Sequence, residues 1–127
     1  MQKISADFKE ARLLVADDFP INVELISEML EMMNCKVDTV ENGEEAYEKH
    51  MENDYDLILM DIQMPVLDGY QATKKIKESE KKNPIIVAIT ANALSGDKDK
   101  CLAAGMDDYI SKPIKGVALE EILSKYL

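Results

Sequence analysis

Leu57-Ile58-Leu59-Met60-Asp61-Ile62-Gln63-Met64-Pro65 decides the fold: four apolar residues in a row run into an aspartate and then toward a turn. A run this short, with no polar alternation, suits a strand covered on both faces, as in a parallel sheet sandwiched between helices. Leu13-Leu14-Val15-Ala16 runs the same way into Asp17-Asp18, and Ile85-Ile86-Val87-Ala88-Ile89 runs into Thr90. Weaker strands are expected at Val37 to Val40 and Asp108 to Ser111, the latter leading into Lys112-Pro113.

Helical signals fill the intervals. Pro20 stands where a first helical residue would, and Leu25, Ile26, Met29, Leu30 and Met33 follow as an apolar stripe. Asn42 with Glu45 reads as a capping box, Asp68 as the cap of a third helix starting at Gly69, and Ser95 as the cap of a fourth that stops at Gly105. After Pro113, Leu119, Ile122, Leu123 and Tyr126 mark the last helix. Alternating strands and helices of this kind predict an α/β protein with a doubly wound parallel sheet of five strands and five helices, because parallel strands need crossovers and those are right-handed.

The chain has 127 residues, enough for one domain and too few for a barrel of eight strand-helix units. Hydrophobic residues make up 46% and charged residues 31%, ordinary globular usage, with 1–10 expected as a leader or linker and 11–127 as the domain. The net charge of −10, with Arg12 the only arginine, argues against binding nucleic acid or an anionic membrane. Residues 1–10 hold no continuous apolar region, so no secretory signal is expected, and no stretch is apolar enough to span a membrane. Cys35 and Cys101 are far apart and form no Cys-x-x-Cys pair; they read as reduced, partly buried residues of a cytoplasmic protein.

In a doubly wound sheet ligands bind beyond the carboxyl ends of the strands. Asp17, Asp18, Asp61, Thr90 and Lys112 all fall at that rim. Two unit charges about 4 Å apart repel by roughly 4 kcal/mol at an effective dielectric near 20, so such a cluster needs an offsetting cation. Oxygen donors without a nearby histidine favour Mg²⁺, with Mn²⁺ an acceptable substitute. Asp61 can then act as a nucleophile toward a phosphoryl group, with the ion and Lys112 neutralising charge on the equatorial oxygens. Thr90 is placed to donate a hydrogen bond to the product phosphate.

Val15-Ala16-Asp17-Asp18, Met60-Asp61-Ile62-Gln63-Met64-Pro65-Val66-Leu67-Asp68-Gly69, Ile89-Thr90-Ala91 and Gly105-Met106-Asp107-Asp108-Tyr109-Ile110-Ser111-Lys112-Pro113 stand in this order. In these stretches the chain resembles the receiver domains of two-component response regulators, from about Arg12 to Leu127. The resemblance implies a flavodoxin-like fold with strand order 2-1-3-4-5. It also implies that Asp61 is phosphorylated from a phosphohistidine, and that Asp18, Asp61 and the Gln63 carbonyl bind Mg²⁺, with Asp17 acting through a bound water. Lys112 would pair with the phosphoryl group, its bond to Pro113 would be cis, and Thr90 and Tyr109 would form the switch pair. The readout face would be the fourth helix, fifth strand and fifth helix.

Asp17-Asp18-Phe19-Pro20-Ile21-Asn22 and Thr90-Ala91-Asn92-Ala93-Leu94 resemble the receivers of hybrid histidine kinases. That wording implies a sensor histidine kinase or a histidine phosphotransfer domain as partner, and a phosphorylation-dependent dimer is a further expectation. The domain would not turn over as an enzyme, but would catalyse its own phosphorylation and autodephosphorylation.

Plainer readings are weighed beside these. Asp17-Asp18 alone reads equally as a strand-end turn, Tyr109 as packing, and His50 as a surface residue of the second helix. Met29, Met32 and Met33 suit core packing as well as a docking face, and the acids at 41, 44, 45 and 48 read as a solvated helix face. A degenerate receiver serving only as an interaction module is one rival. Another is a phosphatase of the haloacid dehalogenase type, disfavoured because its general acid would stand where this chain has Gln63. No phosphate-binding Gly-x-x-x-x-Gly-Lys-Ser/Thr loop follows the first strand.

Overall fold

The structure, a computed structural model, describes residues 11–79, 81–91 and 98–127. The expected leader at 1–10 and the expected Ser95 cap lie outside the described residues. Five strands form one parallel sheet: β1 (Arg12–Ala16), β2 (Lys36–Val40), β3 (Leu57–Asp61), β4 (Ile85–Thr90) and β5 (Asp108–Ser111), in the order β2-β1-β3-β4-β5. Between and after them lie α1 (Pro20–Met32), α2 (Gly43–Glu52), α3 (Gly69–Glu78), α4 (Lys98–Ala103) and α5 (Gly116–Tyr126).

The period-2 alternation of strand side chains splits the apolar runs between two cores. Leu13, Val15, Leu57, Leu59, Val87 and Ile89 meet α1 and α5 through Ile26, Leu30, Leu119 and Leu123. Leu14, Ala16, Ile58, Met60, Ile86 and Ala88 meet α2, α3 and α4 through Ala46, Ala72, Ile76 and Cys101. Central β3 is buried at every position, while edge strand β2 is buried only at Val40, which is why its sequence signal is weak. Both cysteines are buried and reduced.

Helix ends follow their caps. Pro20 opens α1, and Asn34 at φ 66° closes it, with the Cys35 and Asn34 N–H groups bonded to the Leu30 and Glu31 carbonyls. Gly105 at φ 99° ends α4 in the same way. Asp68 and Gln71 form a full capping box on α3. Asn42 caps α2, but the return bond of Glu45 goes to the Glu41 N–H at 2.9 Å, one residue earlier than a capping box requires.

Two expectations are corrected. His50 is 1% exposed, not a surface residue: it extends the buried stripe Gly43, Ala46, His50 of α2, and its Nε2 lies 3.1 Å from Ser79 Oγ. Leu25 of the α1 stripe faces solvent, whereas Ile26, Leu30 and Met33 are buried and Met29 is half-buried; Met32, outside the stripe, is also exposed. The acidic face of α2 is solvated as expected, with Glu44 in a part-exposed pair with Lys75 at 3.3 Å.

Candidate functional site

Parallel pairing brings the carboxyl ends of the strands to one rim. Asp17 follows β1 directly and is fully buried; Asp61 ends β3 and is 3% exposed; Asp18 is exposed. One carboxylate oxygen from each of Asp17, Asp18 and Asp61 lies within 4.8 Å of the others. Lys112, just beyond β5, places Nζ 3.1 Å from Asp61 Oδ2 and 3.9 Å from Asp17 Oδ2.

Short backbone contacts aim these groups. The Phe19 N–H donates to Asp17 Oδ1 at 2.9 Å, and the Gln63 N–H donates to Asp61 Oδ1 at 3.0 Å. The Lys112 N–H donates to the Thr90 carbonyl at 2.8 Å, tying the lysine to the end of β4, and the Lys112–Pro113 peptide is cis. Thr90 is 1% exposed and follows Ile89, the register partner of Asp61. Tyr109, half-buried in β5 opposite Ala88, packs against the core shared by α2, α3 and α4.

The charges are unbalanced. Burial pushes the Asp17 carboxyl up to about 6, the nearby Asp61 charge pushes the same way, and the Phe19 N–H and Lys112 oppose them. Asp17 Oδ2 is buried with no hydrogen-bond partner among the described residues. Leaving such an oxygen unsatisfied costs about 1–3 kcal/mol or more. Among the described residues a single ammonium stands against three carboxylates, with one buried oxygen unsatisfied, which fits a hard divalent cation with oxygen ligands, and Mg²⁺ meets that description.

Two glycines supporting this site went unassigned in the sequence. A Cβ on Gly69 would overlap the Asp61 carbonyl, and one on Gly43 would overlap the Leu67 carbonyl. Each follows a helix cap, Asn42 or Asp68, and Gly69 also closes the Met60 to Gly69 stretch that carries the resemblance.

The family model for the response regulator receiver domain matches residues 13–124. Hybrid signal transduction histidine kinase L of Dictyostelium discoideum is 46% identical over 122 residues, 91% of this chain but only 7% of that kinase. Among solved structures, the chain is similar to the receiver domain of sensor histidine kinase PA1611 from Pseudomonas aeruginosa, which has magnesium coordinated in its active-site cleft. That likeness has a TM-score of 0.86 and 42% identity and covers 92% of this chain and 97% of that one. It is also similar to a chain in the co-crystal of the Saccharomyces cerevisiae phosphotransfer protein Ypd1 with the receiver domain of Ssk1, at TM-score 0.86 and 32% identity, covering 94% and 90%.

Proposed function

The chain belongs to the response regulator receiver domain family, and from that premise we propose that Asp61 accepts a phosphoryl group from a phosphohistidine. The observation that carries the reading is the acidic rim, where Asp61 is buried, paired with Lys112 and grouped with Asp17 and Asp18. An Asp61 carboxylate oxygen attacks phosphorus, the P–N bond breaks, and the electron pair leaves with the imidazole nitrogen. Lys112 holds the transferred group by charge, and the Thr90 hydroxyl donates to it. Asp17, Asp18, Asp61 and the Gln63 carbonyl would hold Mg²⁺, which when bound neutralises charge on the transferring group. Mn²⁺ suits the same oxygen ligands.

Phosphorylation adds about 1.5 to 2 negative charges at Asp61, which biases a two-state equilibrium read through Thr90 and Tyr109. The reading places the domain in the cytoplasm, within or beside a hybrid kinase, exchanging phosphoryl groups with a histidine phosphotransfer domain. Phe19 and the α1 side chains Ile21, Leu25 and Met32 are exposed and apolar, which suits a docking face next to the site. A second copy is a further partner in the phosphorylated state, and autodephosphorylation ends the signal. Among the described residues no helix is long and apolar enough to cross a membrane.

The test is to treat the chain with phosphoramidate, a donor with a P–N bond, in the presence of Mg²⁺, then reduce with borohydride and map the peptides. Reduction of an aspartyl phosphate at position 61 to homoserine is the expected result. Label at another residue, or none, would overturn the assignment. Asp61 unlabelled in a chain that still binds a phosphotransfer domain would favour the interaction-only reading.

A further inference from the structure

The loop between β3 and α3 is strained at its apex. Val66 stands at φ 68°, and the Leu67 N–H donates to the Pro65 carbonyl at 2.7 Å, closing a three-residue turn of the rare positive-φ hand. Positive φ is an outlier for a β-branched residue, and such conformations persist only where the surroundings over-determine them. The Val66 side chain does not supply the constraint, because it is 79% exposed.

Gly43 supplies it from another element. As the first residue of α2 its N–H has no partner within the helix. That N–H donates to the Leu67 carbonyl at 2.9 Å. A Cβ at position 43 would overlap the same carbonyl and lie 3.0 Å from Ala72 Cβ, so only glycine lets the loop seat here. The loop's other ties are the Gln63 N–H to Asp61 Oδ1, the Gly69 N–H to the Ile62 carbonyl at 3.2 Å, the Asp68 N–H to Gln71 Oε1 at 3.1 Å and the Ile62 N–H to the Ile89 carbonyl of β4 at 3.3 Å; none of these four holds Val66 or Leu67.

We propose that Gly43 is a positioning residue for phosphoryl transfer: its N–H and bare α-carbon clamp the Leu67 carbonyl, hold the strained turn at Val66, and keep the Gln63 N–H on Asp61. The proposal rests on the receiver reading. Intrinsic helix propensity favours alanine over glycine at a helical position, so any loss in Gly43→Ala reports the clamp and not the helix.

The experiment compares wild type, Gly43→Ala, Val66→Gly and the double variant by Mg²⁺ titration calorimetry and by phosphoryl uptake from a small acyl phosphate at saturating Mg²⁺. Gly43→Ala is expected to bind Mg²⁺ roughly 10- to 100-fold more weakly, the scale of lost outer-shell support. Val66→Gly in the double variant recovers part of that loss, because glycine adopts positive φ without strain. A Gly43→Ala protein with wild-type affinity and uptake, or a loss that Val66→Gly leaves untouched, overturns the clamp. Amide hydrogen exchange on the wild type needs no variant: a protected Gly43 amide supports the clamp, and one that exchanges as fast as an unstructured residue overturns it. Wild type that neither binds Mg²⁺ nor takes up phosphoryl overturns the receiver reading, and the clamp with it.

Discussion

At the amino-terminal rim of the sheet charges meet partners, while at the carboxyl rim they crowd. Asp56 accepts the Arg12 N–H at 2.8 Å, Asp107 accepts the Ile86 N–H at 2.9 Å, and Lys81 Nζ donates to the His50 and Asn53 carbonyls at 2.6 and 2.8 Å, closing the end of α2. Asp108 is held below the usual carboxylate range: burial opposes this, but the Tyr109 N–H, Lys125 and Tyr126 outweigh it. At the other rim Asp17 and Asp61 share Lys112 with Asp18 grouped beside them, and Asp17 is pushed up to about 6. The same strands end in both places, so the difference lies in which residues follow and precede them. One rim stabilises the fold, and the other keeps a charge imbalance that a cation and a phosphoryl group can exploit.

The largest expected effect separates the rims by chemistry. Asp61→Asn loses phosphoryl uptake entirely, whereas Asp56→Asn at the opposite rim leaves uptake unchanged and costs about 1 kcal/mol of stability from its backbone contact. Intact mass after reaction and urea unfolding measure the two. Equal loss of uptake in both variants would erase the comparison.

The carboxyl rim was readable in the sequence, and the pairings at the amino-terminal rim were not. The apolar runs placed β1, β3 and β4, whose ends carry Asp17, Asp18, Asp61 and Thr90, and the weaker β5 signal led into Lys112; a parallel sheet puts every carboxyl end on the same side. His50 was misread because its neighbours Lys49, Met51 and Glu52 look like a surface helix, while the small residues Gly43 and Ala46 that complete its buried stripe carry little hydrophobic signal. The exposure of Leu25 was hidden for the converse reason: an apolar stripe broader than the contact face reads as all core. The bond from Gly43 to Leu67 spans two elements, and local spacing carries no trace of it.

A smaller effect is expected at the paired rim. Lys81→Met removes the ammonium from the last carbonyls of α2 and lowers stability by about 1–3 kcal/mol, with Mg²⁺ affinity unchanged. Thermal unfolding with and without Mg²⁺ checks it; a matching loss of Mg²⁺ affinity would show that the two rims are coupled.

The smallest effect is in pH dependence. The Asp17 carboxyl, raised from 3.8 to about 6, binds its proton more tightly in the folded state, so it adds stability to the metal-free protein as pH falls from about 6 toward 4. His50 is lowered from 6.5 by burial and by Lys81, with Asp54 opposing, so its contribution is present above 6.5 and lost as pH falls below it. Asp17→Asn therefore removes the gain and leaves the loss, making the metal-free variant steeper in its acid destabilisation than wild type. Urea midpoints at pH 7, 6 and 5 in chelator read the difference; parallel curves would show that Asp17 carries no excess charge cost.

The most direct measurement is the intact mass of the wild-type chain after incubation with a small acyl phosphate, in Mg²⁺ and in chelator. The account predicts a gain of one phosphoryl group in Mg²⁺ and none in chelator. A gain that is independent of the metal, or no gain from either the acyl phosphate or a phosphotransfer domain carrying phosphohistidine, would contradict it.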